Sequence, residues 1–97
     1  MRKVCVASIQ MKCSREVILT ADRLVRTAAE KGAEIILLPE LFERQYFCQE
    51  RRYEYYGFAK PVEDNDAVKH FLPVSEELNI VLPLSIYEKD GNVLYNT

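Results

Sequence analysis

An unbroken apolar run, IILL at residues 35–38, constrains the fold of this chain more than any other feature. Four large aliphatic residues closed by Pro39 are typical of a strand that is covered on both faces of its sheet. Residues 3–10 alternate β-branched with small side chains and predict a second buried strand. The segment between them has helical spacing, so the first forty residues predict a β-α-β unit with neighbouring parallel strands.

The helix of this unit has recognisable ends. Ser14 is suited to cap its start, and Gly32 is suited to end it in a left-handed conformation. Its apolar residues recur at intervals of three and four, which predicts one buried face. That face comprises Val17, Ile18, Ala21, Leu24, Val25 and Ala28.

Glu40 follows the apolar run and Pro39 directly. Ligands of open α/β sheets bind at the carboxyl ends of the strands, where Glu40 is expected. A carboxylate at the mouth of an apolar strand end is poorly solvated, which makes it a better proton acceptor. Taken from the residues alone, Glu40 is either a general base or a loop residue paired with an arginine such as Arg44.

The second half of the chain predicts a helix, a strand and a hairpin. A helix should begin near Asp64 or Asp66, with a kink or a break at Pro73. Residues 79–88 predict a third buried strand, and a turn through Asp90-Gly91 should lead into a returning strand within which the chain stops. The helix is expected to turn Val68, Phe71, Leu72 and Leu78 inward.

Composition narrows the class of protein. A chain of 97 residues that is 48% hydrophobic and carries a net charge of -2 gives no electrostatic reason to expect nucleic acid or an anionic membrane as a partner. No apolar run is long enough to span a bilayer, and the first ten residues do not resemble a signal peptide. We therefore expect a cytoplasmic protein with reduced cysteines.

Metal and phosphate sites are not indicated. The spacing of Cys5, Cys13 and Cys48 fits no zinc pattern, and His70 has no evident co-ligands. Three glycines and no GxGxxG pattern give no phosphate-binding loop. We therefore expect no metal site.

Cys48 is the candidate nucleophile among these cysteines, and a working thiolate needs a base or a positive field. His70 is available in principle, but a surface histidine or one satisfied by a structural partner is the more frequent arrangement. Cys5, on the first strand, is expected in the core.

A family resemblance extends over essentially all 97 residues. The segments VCVASIQM and AAEKGAEIILLPELF resemble the amino-terminal third of the nitrilase, or carbon–nitrogen hydrolase, superfamily. The segment ELFERQYFCQ, with AKPVEDN and VLPLSIYEKDGNVLYNT, is similar in particular to the N-carbamoylputrescine amidase branch.

The resemblance implies a fold and a reaction. The fold would be α/β, part of a four-layer α-β-β-α sandwich, in a protein that associates into homo-oligomers. The reaction would be hydrolysis of the C–N bond of an N-carbamoyl amine, without a cofactor, by a glutamate, a lysine and a cysteine. Glu40 matches the glutamate, the general base. Tyr46 and Phe47 are expected to wall the substrate pocket, with a role in packing alone as the alternative.

The other two catalytic residues have no counterpart here. Lys60, Lys69 and Lys89 do not match the family's lysine, and Cys48 does not match its nucleophile. Residues 1–97 are thus expected to be the amino-terminal part of a hydrolase domain that stops before the catalytic lysine and cysteine, and to be inactive alone.

Three alternatives stay open at this point. The complete protein could be another amidase or a β-ureidopropionase of the same superfamily. The chain could be an inactive short form that only binds partners, or an α/β regulatory domain unrelated to hydrolysis. In isolation, a third of a sandwich should expose sheet edges and one uncovered face, and should aggregate or self-associate.

Overall fold

A computed structural model describes residues 2–12, 16–42 and 59–97. The described part contains four strands, two α-helices and one short 3₁₀-helix. In chain order these are β1 (Val6–Ser8), α1 (Val17–Glu30), β2 (Ile35–Leu37), the 3₁₀-helix (Val62–Asp64), α2 (Asp66–Leu78), β3 (Tyr87–Asp90) and β4 (Val93–Asn96).

The predicted β-α-β unit is present. Strands β1 and β2 pair in parallel, with Val6 opposite Ile35 and Ser8 opposite Leu37. The ladder is extended at its end by the Ile9 N–H, which donates to the Leu37 carbonyl at 2.9 Å. Both strands are shorter than predicted, since each contains three residues.

Helix α1 has the expected buried face and the expected end. Val17, Ala21 and Val25 are buried along it. Gly32 has a φ of 96° and donates its N–H to the Ala29 carbonyl. This positive φ confirms the predicted left-handed end, a conformation that glycine adopts without steric cost. The proposed cap, Ser14, lies outside the described residues.

Helix α2 begins at Asp66, as predicted, and is capped by Asn65, whose Oδ1 accepts the Val68 N–H at 3.1 Å. Of the kink or break predicted at Pro73, the break is wrong, because a single α-helix runs through this residue. Phe71 and Val74 lie on either side of Pro73 and are both buried in one core, and this packing holds the two halves together.

The inward face of α2 was only partly predicted. Phe71 is buried, and Val68 and Leu78 are partly buried. Leu72 is 67% exposed, so its predicted inward position is wrong. One turn holds 3.6 residues, so Leu72, next to Phe71 in sequence, projects about 100° away from it around the helix axis.

The core lies between the helices and one face of the β1–β2 sheet. Ile36 is fully buried, and Phe42 packs edge-on against Phe71 with ring centroids 5.9 Å apart. The expectation that the strands are covered on both faces is wrong for the described residues, since Leu37 is 50% exposed and Val6 is 66% exposed. Cys5 is exposed as well, which corrects its predicted core position.

The predicted third strand, 79–88, forms only in part. Val81 bridges Ile35 in parallel, donating to the Glu34 carbonyl at 2.9 Å and accepting from the Ile36 N–H at 3.0 Å. Pro83 has no N–H to donate and follows soon after, which fits the end of the pairing there.

Regular structure resumes in the predicted hairpin. Strands β3 and β4 pair antiparallel, and Asp90 lies opposite Val93. The loop is therefore Gly91-Asn92, one residue later than predicted, and Gly91 has the positive φ, 61°, that such a tight turn requires. Beyond the ladder, Thr97 exchanges two backbone hydrogen bonds with Ile86.

Candidate active site

Glu40 lies in the turn that follows β2, three residues after Leu37. Leu38 is buried between the strand and this turn, which anchors the strand end in the core. The carboxyl end of β2 therefore carries the glutamate at the sheet edge where ligands of open α/β folds bind.

The backbone just after Glu40 adopts an uncommon conformation. Leu41 has a φ of 49°, in the left-handed region that a bulky residue rarely enters. Such a conformation costs about 1 to 2 kcal/mol and persists where the surrounding structure holds it. Here the Leu41 side chain is buried and its N–H donates to Ser85 Oγ at 3.1 Å.

The side chain of Glu40 is bound by a residue of the last strand. Asn96 Nδ2 donates to Glu40 Oε1, and Ser85 Oγ donates to Asn96 Oδ1 at 3.1 Å. Neither Asn96 nor Ser85 was expected at the site from the sequence. Their position in the two strands on either side of the predicted turn was the one signal that the sequence offered. A contact across 56 residues, as between Asn96 and Glu40, has no local pattern.

The surroundings of Glu40 differ from expectation. Glu40 is exposed, so the predicted dry environment is not found among the described residues. The partner that the structure shows is a neutral amide; Arg44, the alternative partner, lies outside the described residues. A carboxylate with one oxygen on an amide donor can still accept a proton from an acidic group nearby.

Three further candidates also lie outside the described residues. These are Tyr46 and Phe47, expected to wall the pocket, and Cys48, the nucleophile considered from composition.

His70 is engaged with a carboxylate on the neighbouring helix. Its Nε2 lies 2.9 Å from Asp22 Oδ1, and Arg26 Nε donates to Asp22 Oδ2 at 2.9 Å. Burial acts to raise the pKa of Asp22, but the hydrogen bonds from His70 and Arg26 outweigh it, and the pKa lies below its ordinary value. His70 therefore has a structural hydrogen-bond partner. This is the arrangement that was expected as the alternative to a Cys–His pair.

Other kinds of site find little support in the described segments. They contain no group of three or more metal-ligating side chains. None of their helices is long and apolar enough to cross a membrane. A small cleft of about 90 Å³ is almost wholly apolar and does not include Glu40. It is lined by Val68, Phe71, Leu72, Ser75, Leu82 and Leu84.

Comparison with known families identifies the class of protein. The carbon–nitrogen hydrolase family model matches residues 5–97, nearly the whole chain. The chain belongs to the carbon–nitrogen hydrolase family.

Several of the named relatives are N-carbamoylputrescine amidases. An N-carbamoylputrescine amidase of Oryza sativa is 43% identical over 98% of this chain, and one of Arabidopsis thaliana is 39% identical over 99% of it. A citrullinase of Francisella tularensis is 35% identical over the whole chain. The chain spans only about a third of each relative, 33% of both amidases and 35% of the citrullinase.

A solved structure agrees on the fold. The carbon–nitrogen hydrolase of Helicobacter pylori G27 superposes with a TM-score of 0.84 over 96% of this chain and 33% of its own, at 19% identity. The α/β arrangement of the described residues is therefore that of a carbon–nitrogen hydrolase.

Proposed function

We propose that the complete protein hydrolyses the terminal C–N bond of an N-carbamoyl amine, with N-carbamoylputrescine as the first substrate to test. The proposal rests on the amidase relatives and on Glu40, which this structure places after β2 with one carboxylate oxygen held by Asn96. The products would be putrescine, ammonia and carbon dioxide, which would place the protein in polyamine biosynthesis.

Glu40 would serve as the general base. It would take the proton of a cysteine thiol, and the thiolate would attack the carbamoyl carbon. A lysine ammonium would stabilise the oxyanion, and Glu40 would pass its proton to the departing ammonia. Water, deprotonated by Glu40, would then cleave the acyl-enzyme; the carbamic acid released would lose carbon dioxide to give the amine.

The cysteine and the lysine would lie beyond residue 97. On this proposal residues 1–97 are the amino-terminal part of a hydrolase domain whose complete form is a four-layer α-β-β-α sandwich. Tyr46 and Phe47 would line its substrate pocket. The cytoplasmic location and homo-oligomeric assembly expected from the sequence stay predictions.

The test is ammonia release by the complete protein from N-carbamoylputrescine, citrulline and N-carbamoyl-β-alanine. The highest kcat/KM on N-carbamoylputrescine would support the proposed substrate. A preference for citrulline would favour the second candidate, to which the citrullinase relative points, and a preference for N-carbamoyl-β-alanine would indicate a β-ureidopropionase. No release from any of the three would contradict the proposed reaction.

Residues 1–97 supply a control for the same assay. This polypeptide lacks counterparts of the family's lysine and nucleophile, so we expect no turnover from it alone. Turnover by purified residues 1–97 would show that the chain contains a complete catalytic set and would overturn this part of the proposal.

A further inference from the structure

We infer that Asn96 is a positioning residue that holds the carboxylate of Glu40 in the orientation needed for proton transfer. The inference deepens the proposed function and rests on it, because it assigns a role through Glu40 rather than through direct contact with substrate.

The backbone of Asn96 is fixed on both sides. Asn96 is the last residue of β4 and lies opposite Tyr87 in the antiparallel register. The next residue, Thr97, exchanges backbone hydrogen bonds of 2.9 and 2.6 Å with Ile86. A side chain on such a backbone starts from a defined position, so little conformational freedom is lost when it binds a partner.

The amide of Asn96 is oriented by its second contact. Ser85 Oγ donates to Asn96 Oδ1, and the opposite end of the same amide, Nδ2, donates to Glu40. A carboxylate accepts hydrogen bonds and an amide oxygen cannot donate them, so only this orientation satisfies both contacts.

The contacts form a closed ring that returns to the residue beside Glu40. The Leu41 N–H donates to Ser85 Oγ, Ser85 donates to Asn96, and Asn96 donates to Glu40. Each donor in this ring polarises the next, which strengthens the bond to the carboxylate. The ring also ties the left-handed turn at Leu41 to the hairpin that carries Asn96.

A neutral donor suits a general base better than a cationic one. The Asn96 amide orients Oε1 of Glu40 without adding a positive charge. An arginine in its place would add one, and that charge would make the carboxylate a weaker base. Because the Asn96 amide binds Oε1, the inference assigns Oε2 as the oxygen that would receive the proton.

The first test does not depend on activity. The complete protein would be labelled with ¹⁵N at its asparagine side chains, and the Asn96 amide signal would be assigned by its loss in Asn96→Asp. We expect this signal to shift as acid protonates the carboxylate, and the shift to disappear in Glu40→Gln. The Asn92 signal, from the loop of the same hairpin, should be the same in both proteins. A titration of Asn96 that is unchanged by Glu40→Gln would overturn the contact.

The second test is kinetic. It distinguishes a role of the Asn96 amide as a hydrogen-bond donor to Glu40 from a role that depends only on the shape of the side chain. With the substrate that the protein hydrolyses, Asn96→Ala should lower kcat by about 10- to 100-fold, the usual value of a hydrogen bond to a charged group, with little change in KM. Asn96→Asp keeps the shape but replaces the donor with a carboxylate, which cannot donate to Glu40 and repels it from its position, so it should lower kcat further. Asn92→Ala is the matched control and should leave kcat unchanged.

The outcomes separate the two proposals. Wild-type kcat in Asn96→Ala, or a milder defect in Asn96→Asp than in Asn96→Ala, would overturn the positioning role. If the wild-type protein releases no ammonia from any carbamoyl amine, the proposed function fails, while the amide titration still decides whether Asn96 holds Glu40.

Discussion

His70 and Asp22 connect the two helices, with Nε2 of the histidine 2.9 Å from Oδ1 of the aspartate. Asp22 also accepts from Arg26, which in turn bonds Glu77 of α2 at 3.2 Å. Four charged or titratable side chains thus bridge α1 and α2 at the edge of the core. The contact explains why a single histidine in the chain need have no part in the chemistry.

Asp22→Asn is predicted to lower the stability of the protein. The substitution removes the charge that accepts hydrogen bonds from His70 and Arg26, which should lower the free energy of unfolding by about 1 kcal/mol. The measurement is the denaturant midpoint at neutral pH. Glu30→Gln, at an exposed position in the last turn of α1, is the control and should leave the midpoint almost unchanged.

The same carboxylate predicts a pH dependence. The pKa of Asp22 in the folded state lies below its ordinary value of 3.8, so the unfolded state binds the proton more readily. Its contribution to stability is complete above about pH 5 and is lost as the pH falls through the lowered pKa. The midpoint difference between wild type and Asp22→Asn should therefore shrink below pH 4. A difference that stays constant down to pH 2 would contradict the assignment.

Substitutions at two neighbouring residues of α2 should lower the free energy of unfolding by very different amounts. Phe71 is almost fully buried and packs on Phe42, so Phe71→Ala should cost about 3 to 5 kcal/mol. Leu72→Ala, one position along and exposed, should cost about 0.5 kcal/mol or less. Equal losses in unfolding experiments on the two variants would contradict the placement of this helix face.

The uncovered face of the β1–β2 sheet predicts association of the isolated polypeptide. Val6 on β1, Leu37 on β2 and Val81, which bridges β2, are all at least half exposed. Residues 1–97 alone should therefore self-associate in sedimentation experiments, and Val6→Lys should reduce this. Leu19→Lys, an exposed apolar position on α1, is the control and should reduce it less. A clean wild-type monomer with a sharp unfolding transition would contradict the prediction.

Local signals allowed much of the fold to be predicted. Three predictions depended only on residues close in sequence, and the structure agrees with each of them. They are the left-handed end of α1 at Gly32, the buried face of α1 and the position of Glu40 after β2. The errors at Cys5 and Leu72 arose because an apolar residue is not necessarily buried, and what covers it depends on distant segments. At Pro73, the packing of Phe71 and Val74 in the core outweighed the strong tendency of proline to break a helix.

The ring around Glu40 could not have been predicted in the same way. It joins Leu41 to Ser85 and Glu40 to Asn96, so it depends on how the hairpin docks beside β2. Asn and Ser near a hairpin usually serve the turn itself, and nothing in their spacing indicates a distant carboxylate. The family resemblance led us to expect Glu40 as the base, while its contact with Asn96 emerged only from the structure.

The most direct measurement is ammonia release by Glu40→Gln in the complete protein, assayed beside wild type on N-carbamoylputrescine. If Glu40 is the proton acceptor, as proposed, this substitution should lower kcat by about 10² to 10⁴, with the unfolding midpoint unchanged because Glu40 is exposed. Glu34→Gln, at the opposite end of β2, controls for the loss of a nearby charge and should keep full activity. Unchanged ammonia release from Glu40→Gln would remove Glu40 from the mechanism and contradict the account.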